Sequence, residues 1–147
     1  MLNEKLEQAL NDQIAAEFFA SHLYLSMSTY FESINLSGFA HWMRLQATEE
    51  YGHALKIYRH ILERMGRVKL QGMAAPPTEW DSPVAAFEAA FGHEQKVTAM
   101  INDLVALGAE AGDNASKTLL QWFVDEQVEE ENQTATIVEQ LKMVGDS

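Results

Sequence analysis

The sequence predicts an all-α protein, and three features of its 147 residues support this fold class. Good helix formers such as Ala, Leu, Glu, Gln and Met are abundant, and only three prolines are present. Apolar residues recur at the three- and four-residue spacing of a helix face, not in the alternating pattern of a strand. Four long stretches with this spacing are separated by helix-breaking residues. The length and an apolar share of 47% predict a single domain over residues 1–147.

The helical spacing divides the chain into four segments, at roughly residues 3–32, 37–65, 82–111 and 115–144. The first join, residues 33–36, is short and forces antiparallel neighbours, with Ser37 as the expected N-cap of the second helix. The last join, around residues 112–114, is also short. The third and fourth helices are therefore expected to be antiparallel as well.

The segment between the second and third helices, residues 66–81, has no helical or strand spacing and contains two glycines and two prolines. Sixteen extended residues reach on the order of 50 Å. A helix of about 28 residues is on the order of 42 Å long, so this segment can run the length of the bundle and make the second and third helices parallel. We expect a four-helix bundle with one long crossover, in which Trp80 anchors the end of the crossover.

The charge and the cysteine count narrow the function. A formal net charge of -12 disfavours nucleic acid and anionic membranes as partners and favours cations. The absence of cysteine excludes disulfides, thiolate metal sites and a cysteine nucleophile, so any metal ligand must be oxygen or nitrogen. The first residues lack a basic and apolar leader, and no segment has the roughly 18 uncharged apolar residues of a membrane span. A cytoplasmic protein is expected.

Each predicted helix carries a carboxylate about halfway along its apolar stripe, at Glu17, Glu50, Glu94 and Glu130. The second helix adds His53 in a Glu-x-x-His pair, and the fourth has Gln127 at the matching position. Buried carboxylates are costly unless cations meet them. Helices of similar length also bring these midpoints to one level of the bundle. The combination matches the pattern of dimetal carboxylate bundles.

The ligand types indicate which metal is bound. A set of four carboxylates and one imidazole suits Fe or Mn better than Zn or Cu, with Zn as the main competitor. Taken singly, each Glu is better explained as a helix-edge residue with its carboxylate in water, so the hypothesis depends on the whole set. The other histidines lack a carboxylate at suitable spacing and are not expected to be ligands: His22, His41, His60 and His93.

Several stretches of the chain resemble prokaryotic non-haem ferritins, and the resemblance extends over residues 2–143. These stretches are NDQ at 11–13, EEYGHA at 49–54, WDSP at 80–83, HE at 93–94 and WFVDEQVEEE at 122–131. The resemblance implies iron storage and detoxification. It also implies a ferroxidase, which oxidises Fe(II) to Fe(III) with dioxygen or peroxide at a diiron centre within one subunit. The Fe(III) would pass to a mineral core inside a homo-oligomeric shell of 24 subunits.

Carried over by position, the resemblance implies two iron sites that share one ligand. Glu17, Glu50 and His53 would hold the first iron. The second iron would be held by Glu50, Glu94 and Glu130, so that Glu50 would be the bridge between the two ions.

The resemblance also implies roles around these ligands. Gln127 would lie beside the pair and leave the second iron more loosely held. Tyr24 would donate a hydrogen bond to a ligand or an electron during oxidation, although it could also simply fill the core. A third, weaker iron site would use Glu49, Glu126 and Glu129, and could share Glu130 with the second iron. The alternative interpretation of these three residues is an acidic, solvated helix face.

Two departures from related families are informative. Haem-binding relatives repeat Glu-x-x-His on the fourth helix and place Met after the bridging Glu. This chain has Gln127 and Tyr51 at those positions, so no haem is expected. DNA-protecting mini-ferritins build their site from two subunits, whereas this chain supplies a complete set. The chain stops at residues 145–147 without the family's short fifth helix, which leaves the number of subunits open.

Two other functions are left open. One is a peroxide-reducing diiron protein of the rubrerythrin type, although that class ordinarily adds cysteine ligands or a further Glu. The other is a non-catalytic, metal-buffering helical bundle in which the carboxylates are structural.

Overall fold

The computed structural model describes residues 1–145, and four long helices contain most of them: α1 (Glu4–Ser33), α2 (Ser37–Glu63), α3 (Pro83–Glu110) and α4 (Asn114–Val144). The predicted all-α class is confirmed, because residues 1–145 contain no strand. The predicted bounds agree with the observed ones within two residues at every end. The last residues of the predicted domain, Asp146 and Ser147, lie outside the described part. None of the described helices combines the length and hydropathy of a membrane span.

Side-chain caps begin three of the four helices. Asn3, Ser82 and Asp113 each accept a hydrogen bond from a backbone N–H in the first turn of α1, α3 and α4, respectively. The prediction that Ser37 caps α2 is wrong. The helix begins at Ser37 itself, so Leu36 holds the cap position. Its apolar side chain cannot accept a hydrogen bond and packs against the aromatic cluster of the core.

The helix directions confirm the predicted crossover topology. Contacts run in opposite senses along each pair: Ser21 with Ala47 and Phe31 with Phe39 for α1 and α2, and Tyr24 with Glu94 and Phe31 with Phe87 for α1 and α3. Since α1 is antiparallel to both α2 and α3, the latter two are parallel. The chain between them must return along the full length of the bundle.

The crossover is held against α1 near both of its ends. The amide nitrogen of the buried Asn11 donates to the Arg67 carbonyl at 2.9 Å, and its amide oxygen accepts from the Lys69 N–H at 2.7 Å. Near the other end, the Trp80 ring packs on Tyr30 with the ring centroids 5.6 Å apart. This contact confirms the expected anchoring by Trp80.

Two apolar cores lie along the bundle, one on each side of its middle. The aliphatic core includes Leu6, Leu10, Ile57, Ile61, Ile101 and Leu104. The aromatic core includes Tyr24, Phe31, Phe87, Met27 and Met43, with Trp42 and Trp80 packed at its edge. Burial of these side chains on both sides fixes the relative heights of the four helices, and so positions the residues between the cores.

Candidate metal centre

A layer of buried polar side chains separates the two cores, and all four helices contribute to it: Gln13, Glu17, Gln46, Glu50, His53, Glu94, Gln127 and Glu130. Three of the glutamates are 0% exposed, and Glu130 is 2% exposed. Their inward direction follows from helical spacing, because side chains three, four or seven residues apart share a helix face. Ionised carboxylates at this burial require a compensating cation or a bound proton.

The first ligand group consists of Glu17, Glu50 and His53, each of which offers an atom within 4.8 Å of the others. Nδ1 of His53 lies 3.2 Å from Glu50 Oε2 and 3.8 Å from Glu17 Oε2. The Gln13 amide donates to Glu17 Oε1 at 3.1 Å. Glu17 Oε2 is buried without a hydrogen-bond partner. An acceptor left in this condition fits a cation, because a positive partner offsets its desolvation.

The second ligand group consists of Glu50, Glu94 and Glu130, again within 4.8 Å of one another. Glu50 belongs to both groups, as a bridging ligand must. The Tyr24 hydroxyl donates to Glu94 Oε1 at 2.7 Å. The Gln46 amide nitrogen lies 3.1 Å from Glu50 Oε1 and also contacts Glu130 Oε2. One amide thus links Glu50 on α2 to Glu130 on α4.

Gln127 lies beside the second group. Its amide nitrogen is 3.2 Å from both the backbone oxygen and Oε2 of Glu94, and 3.2 Å from Thr98 Oγ1. Its own Oε1 is buried without a hydrogen-bond partner. The side chain therefore orients Glu94 from α4 and keeps one acceptor free.

Only part of the predicted third site comes together. Glu126 Oε1 lies 3.8 Å from His53 Nε2, and these two residues form a third group with Glu130. Glu49 is exposed, but its carboxyl group interacts with Glu130. Glu129 is exposed and belongs to none of the three groups found among residues 1–145.

Protonation offsets the negative charge of these carboxyl groups. Burial, together with the neighbouring carboxylates, raises the pKa of Glu50 to about 7, of Glu94 to about 8 and of Glu130 to about 9. For His53, burial lowers the pKa, but hydrogen bonds and charge interactions with Glu17 and Glu50 outweigh this effect and raise it to about 11. At neutral pH the centre therefore holds protons that metal ions can replace.

The supporting residues are less visible in the sequence than the candidate ligands. Gln13 and Gln46 lie four residues before Glu17 and Glu50, so this spacing was the available signal. His60 contacts Ser116 Oγ at 2.9 Å. Neither His60 nor the other three histidines outside the centre joins a ligand group in residues 1–145.

Comparisons with known proteins agree with this geometry. Residues 7–144 match the ferritin family, described as a ferritin-like domain. A bacterial non-heme ferritin of Bacteroides fragilis is 45% identical over 147 residues, covering 100% of this chain and 92% of the relative. A bacterial non-heme ferritin of Staphylococcus aureus is 36% identical over 146 residues, covering 99% of this chain and 88% of the relative. The crystal structure of an open pore ferritin from the hyperthermophilic archaeon Archaeoglobus fulgidus superimposes with a TM-score of 0.99. It is 49% identical in sequence, and the match covers 100% of this chain and 91% of that one.

The family match spans nearly the whole chain, and the identities extend over its full length with the same four-helix architecture. The buried carboxylate and histidine groups fit a diiron site. The chain belongs to the ferritin family, and its function is iron storage.

Proposed function

We propose that this ferritin is a ferroxidase, which oxidises Fe(II) to Fe(III) at the buried centre before the iron is stored. The main support is the pair of ligand groups that share Glu50 and include an unpartnered oxygen of Glu17. Two Fe(II) ions supply two electrons, which reduce dioxygen to hydrogen peroxide or hydrogen peroxide to water. Carboxylate-rich sites with one imidazole suit this metal.

In this proposal, Glu17 and His53 hold one iron, Glu94 and Glu130 hold the other, and Glu50 bridges them. Iron binding would displace the proton from His53 and the protons held by the second group. Two divalent ions supply about the charge that four ionised carboxylates require.

Two residues beside the centre assist the second iron. The Tyr24 hydroxyl fixes Glu94 through the 2.7 Å hydrogen bond, and its buried position also suits electron donation to the oxidant. Gln127 contributes a neutral amide, so we expect the second iron to be held more loosely than the first. A third, weaker site would combine Glu126 with Glu49 and Glu130, while Glu129 would act from the exposed helix face.

We further propose a homo-oligomeric, cytoplasmic shell of 24 subunits around a mineral core. Large apolar side chains on α1 and α2, Leu25, Leu45 and Tyr51, are 48%, 54% and 51% exposed. Contact with other subunits would cover such residues. Particle size by sedimentation or light scattering tests the assembly, because a particle of one or two chains cannot enclose mineral.

Rapid mixing of metal-free protein with about two Fe(II) per chain in air tests the ferroxidase proposal, since two ions are expected per centre. We expect a fast absorbance rise that buffer alone does not give. Glu50→Ala should slow it by more than about tenfold, because both irons lose a ligand. Glu139→Ala, at an exposed position of α4, should keep the wild-type rate. If the protein binds iron but oxidises it no faster than buffer, metal buffering is the better explanation.

A further inference from the structure

His53 provides the only nitrogen in the two buried ligand groups, and two aromatic rings hold it edge-on. Its ring centroid is 5.3 Å from that of Trp122 with an interplanar angle of 79°, and 5.8 Å from that of Phe123 with an angle of 82°. Aromatic rings favour such edge-to-face contacts. In this orientation Nδ1 faces Glu50 and Nε2 faces Glu126. The surrounding rings thus help to decide which nitrogen faces the metal centre.

A hydrogen bond to the second nitrogen usually orients a metal-binding histidine. Here the nearest carboxylate to Nε2 is that of Glu126, at 3.8 Å, which is too long for a hydrogen bond. Among residues 1–145, ring packing and this longer ion pair are therefore the contacts that orient the outer side of His53, and the rings are the closer-packed of the two.

Trp122 is itself 38% exposed, so burial alone does not fix its indole ring. The Lys56 ammonium lies 4.2 Å from the centroid of this ring, on the same helix as His53 and three residues further on. A cation at this distance is attracted to the face of an indole. In the described part of the chain no carboxylate lies within 4.0 Å of Lys56, although the protein is strongly acidic. Its charge is directed at the indole instead.

We propose that Lys56 and Trp122 form a positioning pair for His53. The ammonium holds the indole, and the indole holds the imidazole with Nδ1 toward Glu17 and Glu50. This inference rests on the proposed function, in which His53 is a ligand of the first iron. Neither Lys56 nor Trp122 contacts iron in this proposal, because both act through His53.

The direction in which metal affinity changes when Lys56 loses its charge separates positioning of His53 from simple charge repulsion. A positive charge near a site repels divalent cations, so a lysine that acted only through its charge would weaken metal binding. Removing such a charge would tighten binding. A lysine that positions His53 has the opposite effect, because its removal loosens a ligand.

The test is a titration of metal-free protein with Co²⁺, whose visible absorption reports its ligands. Lys56→Met keeps the aliphatic chain but removes the charge, and should weaken binding at the imidazole-containing site by roughly threefold. Lys56→Arg keeps a cation for the indole and should restore wild-type affinity. Trp122→Leu should weaken the same site by about tenfold. Lys69→Met removes an exposed positive charge from the crossover and is the matched control.

Thermal unfolding of the metal-free variants provides the second measurement. We expect Lys56→Met to unfold within about 2 °C of wild type, because the lost contact lies at the surface. Unchanged or tighter Co²⁺ binding by Lys56→Met would overturn the proposal. So would weakening that Lys56→Arg does not reverse, or that affects all bound Co²⁺ equally. If the predicted order of affinities holds but no Fe(II) is oxidised, the ferroxidase proposal fails and the positioning pair stands.

Discussion

The two ligand groups of the candidate metal centre share Glu50 but differ in how their charge is balanced. The first group contains its own cation, since the pKa of His53 is raised to about 11 by the two carboxylates beside it. The second group is made of carboxyl groups alone. Burial and mutual repulsion raise the pKa of Glu94 to about 8 and of Glu130 to about 9, so both retain protons at neutral pH.

The difference shows two ways of keeping acidic residues in an apolar interior. In the first group a protonated imidazole partly neutralises the carboxylates, while Glu17 Oε2 stays without a hydrogen-bond partner. In the second group the carboxyls are neutralised by protons and oriented by Tyr24 and two amides. Bound metal would replace a cation in one case and protons in the other, so the two sites should respond differently to pH and to substitution.

The largest effect should come from removing the shared ligand. Ions present at about 100 times their dissociation constants stabilise a protein by about 2.7 kcal/mol per site. Two Zn²⁺ per chain should therefore raise the unfolding temperature by roughly 10–20 °C. Glu50→Gln should abolish most of this shift, because both sites lose a ligand. The measurement is thermal unfolding with Zn²⁺ and with a chelator, and a variant that kept the full shift would show that the groups are independent of Glu50.

The next effect concerns pH. For Glu94 and Glu130, and for His53, the pKa in the folded state is above its ordinary value, so the folded metal-free protein binds more protons than the unfolded chain. The free energy of unfolding should therefore fall by several kcal/mol as pH rises from about 5 to 9. Denaturant titrations of metal-free protein at several pH values measure this slope. Glu94→Gln should make this decrease with pH smaller. A wild-type protein whose free energy of unfolding rises with pH would contradict the raised pKa values.

A smaller effect should distinguish the two groups by single substitutions. Glu17→Gln should weaken the site with imidazole ligation by about tenfold and leave the other site nearly unchanged. Glu94→Gln should do the reverse, and should stabilise the metal-free protein above pH 8 because a buried charge is avoided. Co²⁺ titrations followed by visible absorption separate these outcomes. Equal weakening of both sites by either change would mean that the groups behave as one.

The smallest effect is expected from Tyr24→Phe. Loss of the 2.7 Å hydrogen bond leaves Glu94 Oε1 with one partner fewer, which should destabilise the metal-free protein by about 1 kcal/mol. Denaturant titration measures this loss, and Tyr51→Phe is the matched control because that ring is 51% exposed. A protein as stable as wild type would indicate that water replaces the hydroxyl.

Much of this centre was predictable, because helix geometry converts sequence spacing into position. The three- and four-residue spacing predicted four helices, and the midpoints of their apolar stripes placed Glu17, Glu50, Glu94 and Glu130 at one level. The length of the crossover predicted parallel α2 and α3. The proposed roles of the four glutamates as iron ligands remain a prediction.

What could not be predicted depends on contacts between distant parts of the chain. The two hydrogen bonds between Asn11 and the crossover backbone have no local sequence signal, because one side chain binds two distant backbone groups. The sequence favours Ser37 as the cap of α2, but Leu36, which packs against the core, holds that position. The pairing of Lys56 with Trp122 likewise joins two helices that only the folded bundle brings together.

The crossover topology also gives the two ligand groups different origins in the chain. The ligands of the first group all lie on α1 and α2, which form one antiparallel hairpin early in the chain. The second group draws Glu50 from that hairpin and its other ligands from α3 and α4. The three residues of the first group can therefore come together within the N-terminal hairpin, although His53 gains its contacts with Trp122 and Phe123 only when α4 docks. The second group requires the docking of the two hairpins to form at all. During synthesis, a metal ion bound to the first group would stabilise half of the bundle before the other half exists.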